Sequence, residues 1–228
     1  MYKEHRDFLS PPKDLIIWRY LTVSKFLHLI DTSQLHFTRA DHFNDVSEGA
    51  LSGKDTKLLS KIIPDPNDWV ERQRLRTYLN CWNLSPNELY HMWESYSFIN
   101  EGVAIKSTVG SIINSMEEDE LHLVRIAQIN YIDMESDSMQ PQGQPINLLR
   151  PFFSKRKIYE KEQEVRLLYF NDDALGIIGF NFPVNLFELV NEVRISPGAT
   201  PTFKEFIQLQ MNKNGYNNIP ITKSELSL

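Results

Sequence analysis

The chain has 228 residues, 41% of them hydrophobic, a single cysteine and a formal net charge of −6. That length can bury a substantial core without cross-links, and one cysteine excludes both an intramolecular disulfide framework and a thiolate-rich zinc site. The acidic balance argues against a generic nucleic-acid coat. The charged N-terminus shows no signal-peptide pattern. No window reaches the roughly 18 apolar residues that a membrane span requires, so the expected setting is a reducing cytoplasm with no membrane contact.

In chain order, residues 1–14 are polar, contain Pro11-Pro12, and are expected as an N-terminal arm before one α+β domain over 15–228. Residues 15–21 form a dense apolar run, a strand in which Arg19 is the one charge. Thr22 can cap a helix carrying Val23, Phe26, Leu29 and Ile30, which Asp31-Thr32-Ser33 ends. Residues 34–38 alternate as a short strand, and 39–49 form a polar loop rich in carboxylates. Residues 50–67 are weakly patterned and end in the breaker Pro64-Asp65-Pro66-Asn67. Asp68 with Glu71 then reads as a capping box for a short basic helix with Arg72, Arg74 and Arg76.

Residues 77–82 read as a buried strand. Ser85-Pro86-Asn87-Glu88 follows as a capping box with proline at the first helical position. Leu89, Met92, Trp93 and Tyr96 give one apolar helical stripe, and residues 103–105 a further strand. Ser107 or Thr108 can cap a helix with Val109, Ile112, Ile113 and Met116 on one face, closed by the acidic run at 117–120. Residues 121–132 read as a long strand, and 133–145 as a mobile surface loop. After an apolar segment interrupted by Pro151 and the basic run Lys155-Arg156-Lys157, the stretch 160–170 ends as a strand. Two more strands, 174–182 and 191–196, flank a turn of helix near Leu186. A helix over 203–211 closes the domain at Asn214-Gly215. Strands and helices intersperse without strict alternation, which predicts a mixed, mostly antiparallel sheet with flanking helices.

Four constellations could carry chemistry. On a strand, Glu162, Glu164 and Arg166 project to one face, and carboxylates on an apolar strand need partners or a task. The plainer reading is a solvated face with Glu–Arg pairing. Arg19, inside a buried strand, is either a structural ion pair, with Glu162 or Glu164 the obvious partner, or a phosphate or carboxylate ligand. Trp93 and Tyr96 read as core by periodicity, and as a ring-stacking wall by chemistry. Asp41, His42, Asp45 and Glu48 could hold a divalent metal, but turn-forming Asp and Asn explain them more simply, and no metal is expected. No GxSxG, phosphate loop or dinucleotide GxGxxG is present.

The order Trp18-Arg19-Tyr20, Phe37 to Gly49 with its Phe43-Asn44-Asp45, Cys81-Trp82, Met92-Trp93-Glu94-Ser95-Tyr96, Gly102-Val103-Ala104-Ile105 and Glu162-Gln163-Glu164-Val165-Arg166 resembles a bacterial family, domain of unknown function twenty-nine seventy-one. Val46 departs from the proline that the resemblance leads one to expect after Asp45. More distantly, the order of strand with arginine, aromatic helix and late strand with glutamate resembles the ADP-ribosyltransferase superfamily. That resemblance implies a split β-sandwich, NAD as substrate, and a protein or nucleic-acid acceptor. It implies Arg19 in the first role, Glu164 in the last, and Glu162 as the first glutamate of an ExE pair that orients the acceptor. Arg19 would bind a phosphate or ribose of NAD, with Tyr20 beside it. Trp93 or Tyr96 would stack on nicotinamide, and Glu164 would hold the ribose hydroxyl. Two other classes compete. One is a non-catalytic nucleotide- or partner-binding module, for example in phage defence. The other is a metal-dependent nuclease built on Asp41, Asp45, Glu48 and Glu164.

Overall fold

A computed structural model of the protein describes residues 8, 11–116, 123–140, 142–144, 146–171, 173 and 176–226. The acidic run at 117–120 and the start of the strand expected over 121–132 lie outside the described residues. In chain order the elements are β1 (Ile16–Thr22), α1 (Val23–Thr32), β2 (Gln34–Arg39), α2 (Gly53–Leu59), α3 (Pro66–Arg74), β3 (Thr77–Leu84), α4 (Tyr90–Tyr96), β4 (Gly102–Thr108) and α5 (Val109–Ser115). There follow β5 (Val124–Gln128), β6 (Asn130–Ile132), β7 (Ser154–Arg156), β8 (Glu164–Phe170), β9 (Gly179–Pro183), α6 (Leu186–Leu189), β10 (Glu192–Ile195), α7 (Pro201–Lys213) and β11 (Ile221–Lys223). The architecture is α+β, a mixed and mostly antiparallel sheet with flanking helices. No helix among the described residues is long and apolar enough to cross a membrane.

The chain resolves into two compact units. The first comprises Met1–Pro11, His36–Cys81 and Asp119–Phe180; the second comprises Pro12–Leu35, Trp82–Glu118 and Asn181–Leu228. In the first, β8 runs antiparallel to β5, from Val124 opposite Tyr169 to Gln128 opposite Val165. β2 runs antiparallel to β3, and β6 and β7 form a small parallel pair. Its core gathers Ala40, Leu79, Ala127, Ile129, Phe152, Phe153 and Leu168. Each fully buried aromatic there contributes about 1.5–3 kcal/mol. In the second unit β1 is central, antiparallel to β4 along its whole length and to the end of β3 on the other side, where Trp18 faces Asn83. β4 pairs with β10, and β10 pairs in parallel with β11. Trp18, Tyr20, Met92, Trp93 and Ala104 cluster on one face of this sheet.

Several local signals act where expected. The Thr108 hydroxyl accepts the Ser111 N–H and starts α5. Ser33, with φ of 53°, ends α1 by returning its N–H to the Leu29 carbonyl. Two capping boxes do not form. α3 starts three residues earlier than Asp68 predicts, because Asp65 accepts the Asn67 and Asp68 N–H groups with Pro66 at the first helical position. α4 starts only at Tyr90, with Leu89 as a cap residue that makes no side-chain bond. Glu88 is buried, and tertiary partners take its carboxylate away from the helix terminus. The stretch at 50–67 hides a real helix, α2, capped by Ser52. The loop after β6 is anchored rather than loose: buried Asp55 accepts the Ser138 hydroxyl at 2.5 Å and the Met139 N–H at 2.8 Å.

Candidate active site

In the first unit, two carboxylates meet on one ammonium. Glu164 opens β8, and its side chain is 6% exposed. Arg166 lies two residues on and therefore on the same face; its Nε donates to Glu164 Oε1 at 2.7 Å. Lys155, from β7, donates to Glu164 Oε2 at 3.3 Å and to Glu162 Oε2 at 2.6 Å. The Glu164 N–H donates to the Tyr131 hydroxyl at 2.8 Å, which pins the start of the strand to β6. Arg166 is fully buried. Its two terminal nitrogens reach both oxygens of buried Glu48, and Nη1 also donates to the Phe152 carbonyl at 2.7 Å.

The expectation that Glu162 shares the strand face fails. Glu162 ends a 3-10 turn over Lys157–Glu162, and Gln163 follows in the left-handed region at φ 42° before the strand begins. The pair converges all the same, because Lys155 bridges it.

Burial alone would push the Glu164 carboxyl up; the Arg166 guanidinium and then the Lys155 ammonium outweigh it and hold the group at about 2. For Lys155, burial would lower the ammonium, but Glu164 and Glu162 outweigh burial and raise it. Burial pushes the Cys81 thiol well up, and the nearby Glu164 carboxylate adds to that. The result is a desolvated, fixed anion that stays charged across the ordinary pH range. Such a group can stabilise a developing positive charge without reorganising.

The carboxylates of the loop at 39–49, the alternative metal site, do not converge. Arg39 holds Asp41 through paired bonds of 2.6 and 3.0 Å. Arg156 holds Asp45 at 2.9 Å, and Arg166 holds Glu48. Each carboxylate is turned to its own guanidinium, and among the described residues no three His, Cys, Asp or Glu side chains are placed to share an ion.

In the second unit, Arg19 and Tyr20 are neighbours on β1 and project to opposite faces of its sheet. Tyr20 is core. Its ring stands edge-on to Trp93 with centroids 5.0 Å apart, and its hydroxyl accepts the Leu89 N–H at 2.8 Å. Trp93 is fully buried, and its Nε1 donates to Glu88 at 3.0 Å. Neither ring has a face left for a nucleotide, which corrects the expectation that they line a pocket; core wins because the α4 stripe packs on β1. Tyr96, 43% exposed at the end of α4, is the solvent-facing member of that stripe. Arg19 is half-buried on the other face, its guanidinium carbon 5.9 Å from the Trp82 ring centroid. Trp82 is the next residue in register after the Trp18–Asn83 pair, so it shares the Arg19 face.

Glu88 organises a second polar cluster. Its oxygens accept Arg194 Nη1 at 3.1 Å, the Ser224 hydroxyl at 2.7 Å and the Glu225 N–H at 2.7 Å, besides Trp93. Arg194 in turn lies over the Trp18 ring at 5.3 Å.

No protein-family model matches this chain. No curated protein matches it either. Among solved structures, it is similar to DarT of Thermus sp. 2.9 in complex with NAD+, at 9% identity and TM-score 0.43, covering 93% of this chain and 98% of that one. The same Thermus protein in complex with carba-NAD+ gives 10% identity and TM-score 0.42 over 94% and 97%. In complex with ADP-ribosylated single-stranded DNA it gives 10% and 0.43 over 96% and 97%.

Lys155, Tyr131 and the Glu48–Arg166 pair escape a reading by sequence. Lys155 is visible only as one of three consecutive basic residues, and nothing local separates the buried cation from its exposed neighbour Lys157. Glu48 lies 118 positions from Arg166. The one usable signal is the spacing of Glu164 and Arg166, which does place them together.

Proposed function

We propose that the chain is an ADP-ribosyltransferase-like enzyme that takes NAD as substrate and a protein or nucleic acid as acceptor. The observation that carries this reading is Glu164, a buried carboxylate held ionised by two cations, with a second carboxylate on the same ammonium. Transfer from NAD breaks the bond between ribose C1′ and the nicotinamide nitrogen. The bonding electron pair leaves with nicotinamide, which becomes neutral, and the ribosyl carbon becomes cationic. A fixed, desolvated anion stabilises that cation. The acceptor nucleophile then bonds to C1′ and loses its proton, with Glu162 orienting it.

The reading rests on Glu164 and Glu162 of the first unit and needs no contribution from Arg19, which belongs to the second. Trp93 and Tyr20 drop out of the stacking role because they are core, and Tyr96 rides on α4, which packs on the sheet face opposite Arg19. A split β-sandwich, a bacterial and cytoplasmic setting, and the motif order resembling family twenty-nine seventy-one stay part of the same proposal. Incubation with NAD labelled in the adenylate moiety, with and without candidate acceptors, tests it. Wild type should release nicotinamide and label an acceptor, and Glu164→Gln should lower turnover by about 100-fold or more. Equal turnover, or none in either, ends the enzymatic reading.

The saturation of Glu164 by Arg166 and Lys155 favours one second reading, a nucleotide- or partner-binding module in which the ion network is structural. NAD binding by calorimetry without nicotinamide release would select it.

A further inference from the structure

We infer that Lys155 is a positioning residue that sets the separation and charge of the Glu162–Glu164 pair. For its catalytic consequence the inference rests on the transferase reading; its structural part stands alone. Glu162 and Glu164 are separated by one residue, and on a continuous strand both would project to one face about two residues apart. Here the left-handed backbone at Gln163 breaks the strand between them. Left-handed geometry is disfavoured for a non-glycine residue and persists where surrounding contacts over-determine it. The Gln163 N–H and side-chain amide both donate to the Glu160 carbonyl, at 3.2 and 2.9 Å, which holds the pivot in place.

With the strand broken, backbone pairing no longer relates the two carboxylates. Lys155 does. Its side chain is 10% exposed, and its ammonium touches Oε2 of each, at 2.6 and 3.3 Å. It also lies 4.9 Å from the Tyr159 ring centroid, which restricts it from the open side. The titratable and charged groups around it are Glu162 and Tyr159 from the 3-10 turn, Glu164 and Arg166 from β8, and Tyr131 from β6. Of the two carboxylates, Arg166 faces Glu164 alone, so Lys155 is the cation that ties Glu162 to it and offsets their mutual repulsion. Lys155 holds both carboxylates in place, Glu164 for the ribosyl cation and Glu162 for the acceptor.

The experiment compares wild type, Lys155→Met and Lys155→Arg by two readouts. The first is the pH dependence of nicotinamide release from NAD. Lys155→Met should lower kcat about 10- to 100-fold with KM for NAD changed less than about threefold, and shift the acid limb of the profile up by about one pH unit or more. Lys155→Arg, which keeps the charge, should restore the acid limb. The second readout is carboxyl-detected NMR titration of 13C-labelled glutamate in the same proteins without NAD. The Glu164 carboxyl should titrate at higher pH in Lys155→Met and near the wild-type position in Lys155→Arg. An unmoved Glu164 titration in folded Lys155→Met overturns the inference. So does a loss of activity in Lys155→Met with an unmoved acid limb. If wild type releases no nicotinamide while the NMR shift occurs, the transferase reading fails and the positioning of the pair by Lys155 stands.

Discussion

Replacing Arg166 by Met tests the central ion network. The guanidinium is fully buried and makes four hydrogen bonds, one to Glu164, two to Glu48 and one to the Phe152 carbonyl. Methionine fills most of the volume and supplies no charge, so the variant isolates electrostatics from packing. Removing one member of a buried ion pair costs about 3–5 kcal/mol, because the partner stays behind desolvated. Here two carboxylates lose a partner. Among the described residues no second cation pairs with Glu48, which is 1% exposed, whereas Glu164 retains Lys155. An orphaned carbonyl adds about 1–3 kcal/mol. The expected loss is about 4–8 kcal/mol at pH 7, a large share of the 5–15 kcal/mol that holds a typical domain. Urea unfolding of wild type, Arg166→Met, Glu48→Gln and the double variant closes a cycle. The double variant should be more stable than Arg166→Met, with a coupling of about 2 kcal/mol or more. A loss below about 1 kcal/mol for Arg166→Met, or additive single effects, would refute the argument.

Three further outcomes follow from the same geometry. Glu164 is depressed to about 2 in the folded chain, so the stability it contributes, up to about 3 kcal/mol, is present above the unfolded value near 4 and lost as pH falls towards 2. The stability gap between wild type and Glu164→Gln should therefore shrink on acidification over that window in chemical denaturation, and a constant gap contradicts it. Gly49 has φ of 74°, and an added Cβ would lie 2.5 Å from the Phe152 ring; Gly49→Ala should cost about 2–3 kcal/mol in thermal or urea unfolding. Glu88→Ala removes the acceptor of Trp93 Nε1, the Ser224 hydroxyl and the Glu225 N–H, while Arg194 keeps Glu192. It should speed hydrogen exchange at the Glu225 amide at least tenfold, and an unchanged rate would show that β11 alone holds the C-terminal segment.

The legibility of this chain follows the range of the interactions. β1, α1, α5 and α7 are visible because their signals are local: an apolar run, a 3.6-residue period, the Thr108 cap and the Asn214 stop. The two failed capping boxes are instructive. Ser85 and Glu88 have the right spacing, but three donors from the C-terminal part of the chain compete for the Glu88 carboxylate and win, so the helix begins five residues after the serine. Met92 and Trp93 read correctly as core, whereas Tyr96, read with them, is exposed. Joining Trp93 with Arg19 in one pocket ignores strand alternation, since Arg19 and Tyr20 face opposite ways and Trp93 packs on Tyr20. Glu162 is misplaced for another reason: a left-handed residue at Gln163 has no sequence signature when it is not glycine or asparagine.

By itself, then, the sequence determined the α+β class, most strand and helix positions, and the pairing of Glu164 with Arg166, because periodicity and i, i+2 spacing act within one element. The tertiary structure alone decided that Lys155 bridges two glutamates, that Glu48 neutralises Arg166, and that Glu88 serves the C-terminal segment rather than a helix cap. Those outcomes depend on which charges are desolvated together, and burial is a property of the packed chain that no local pattern encodes.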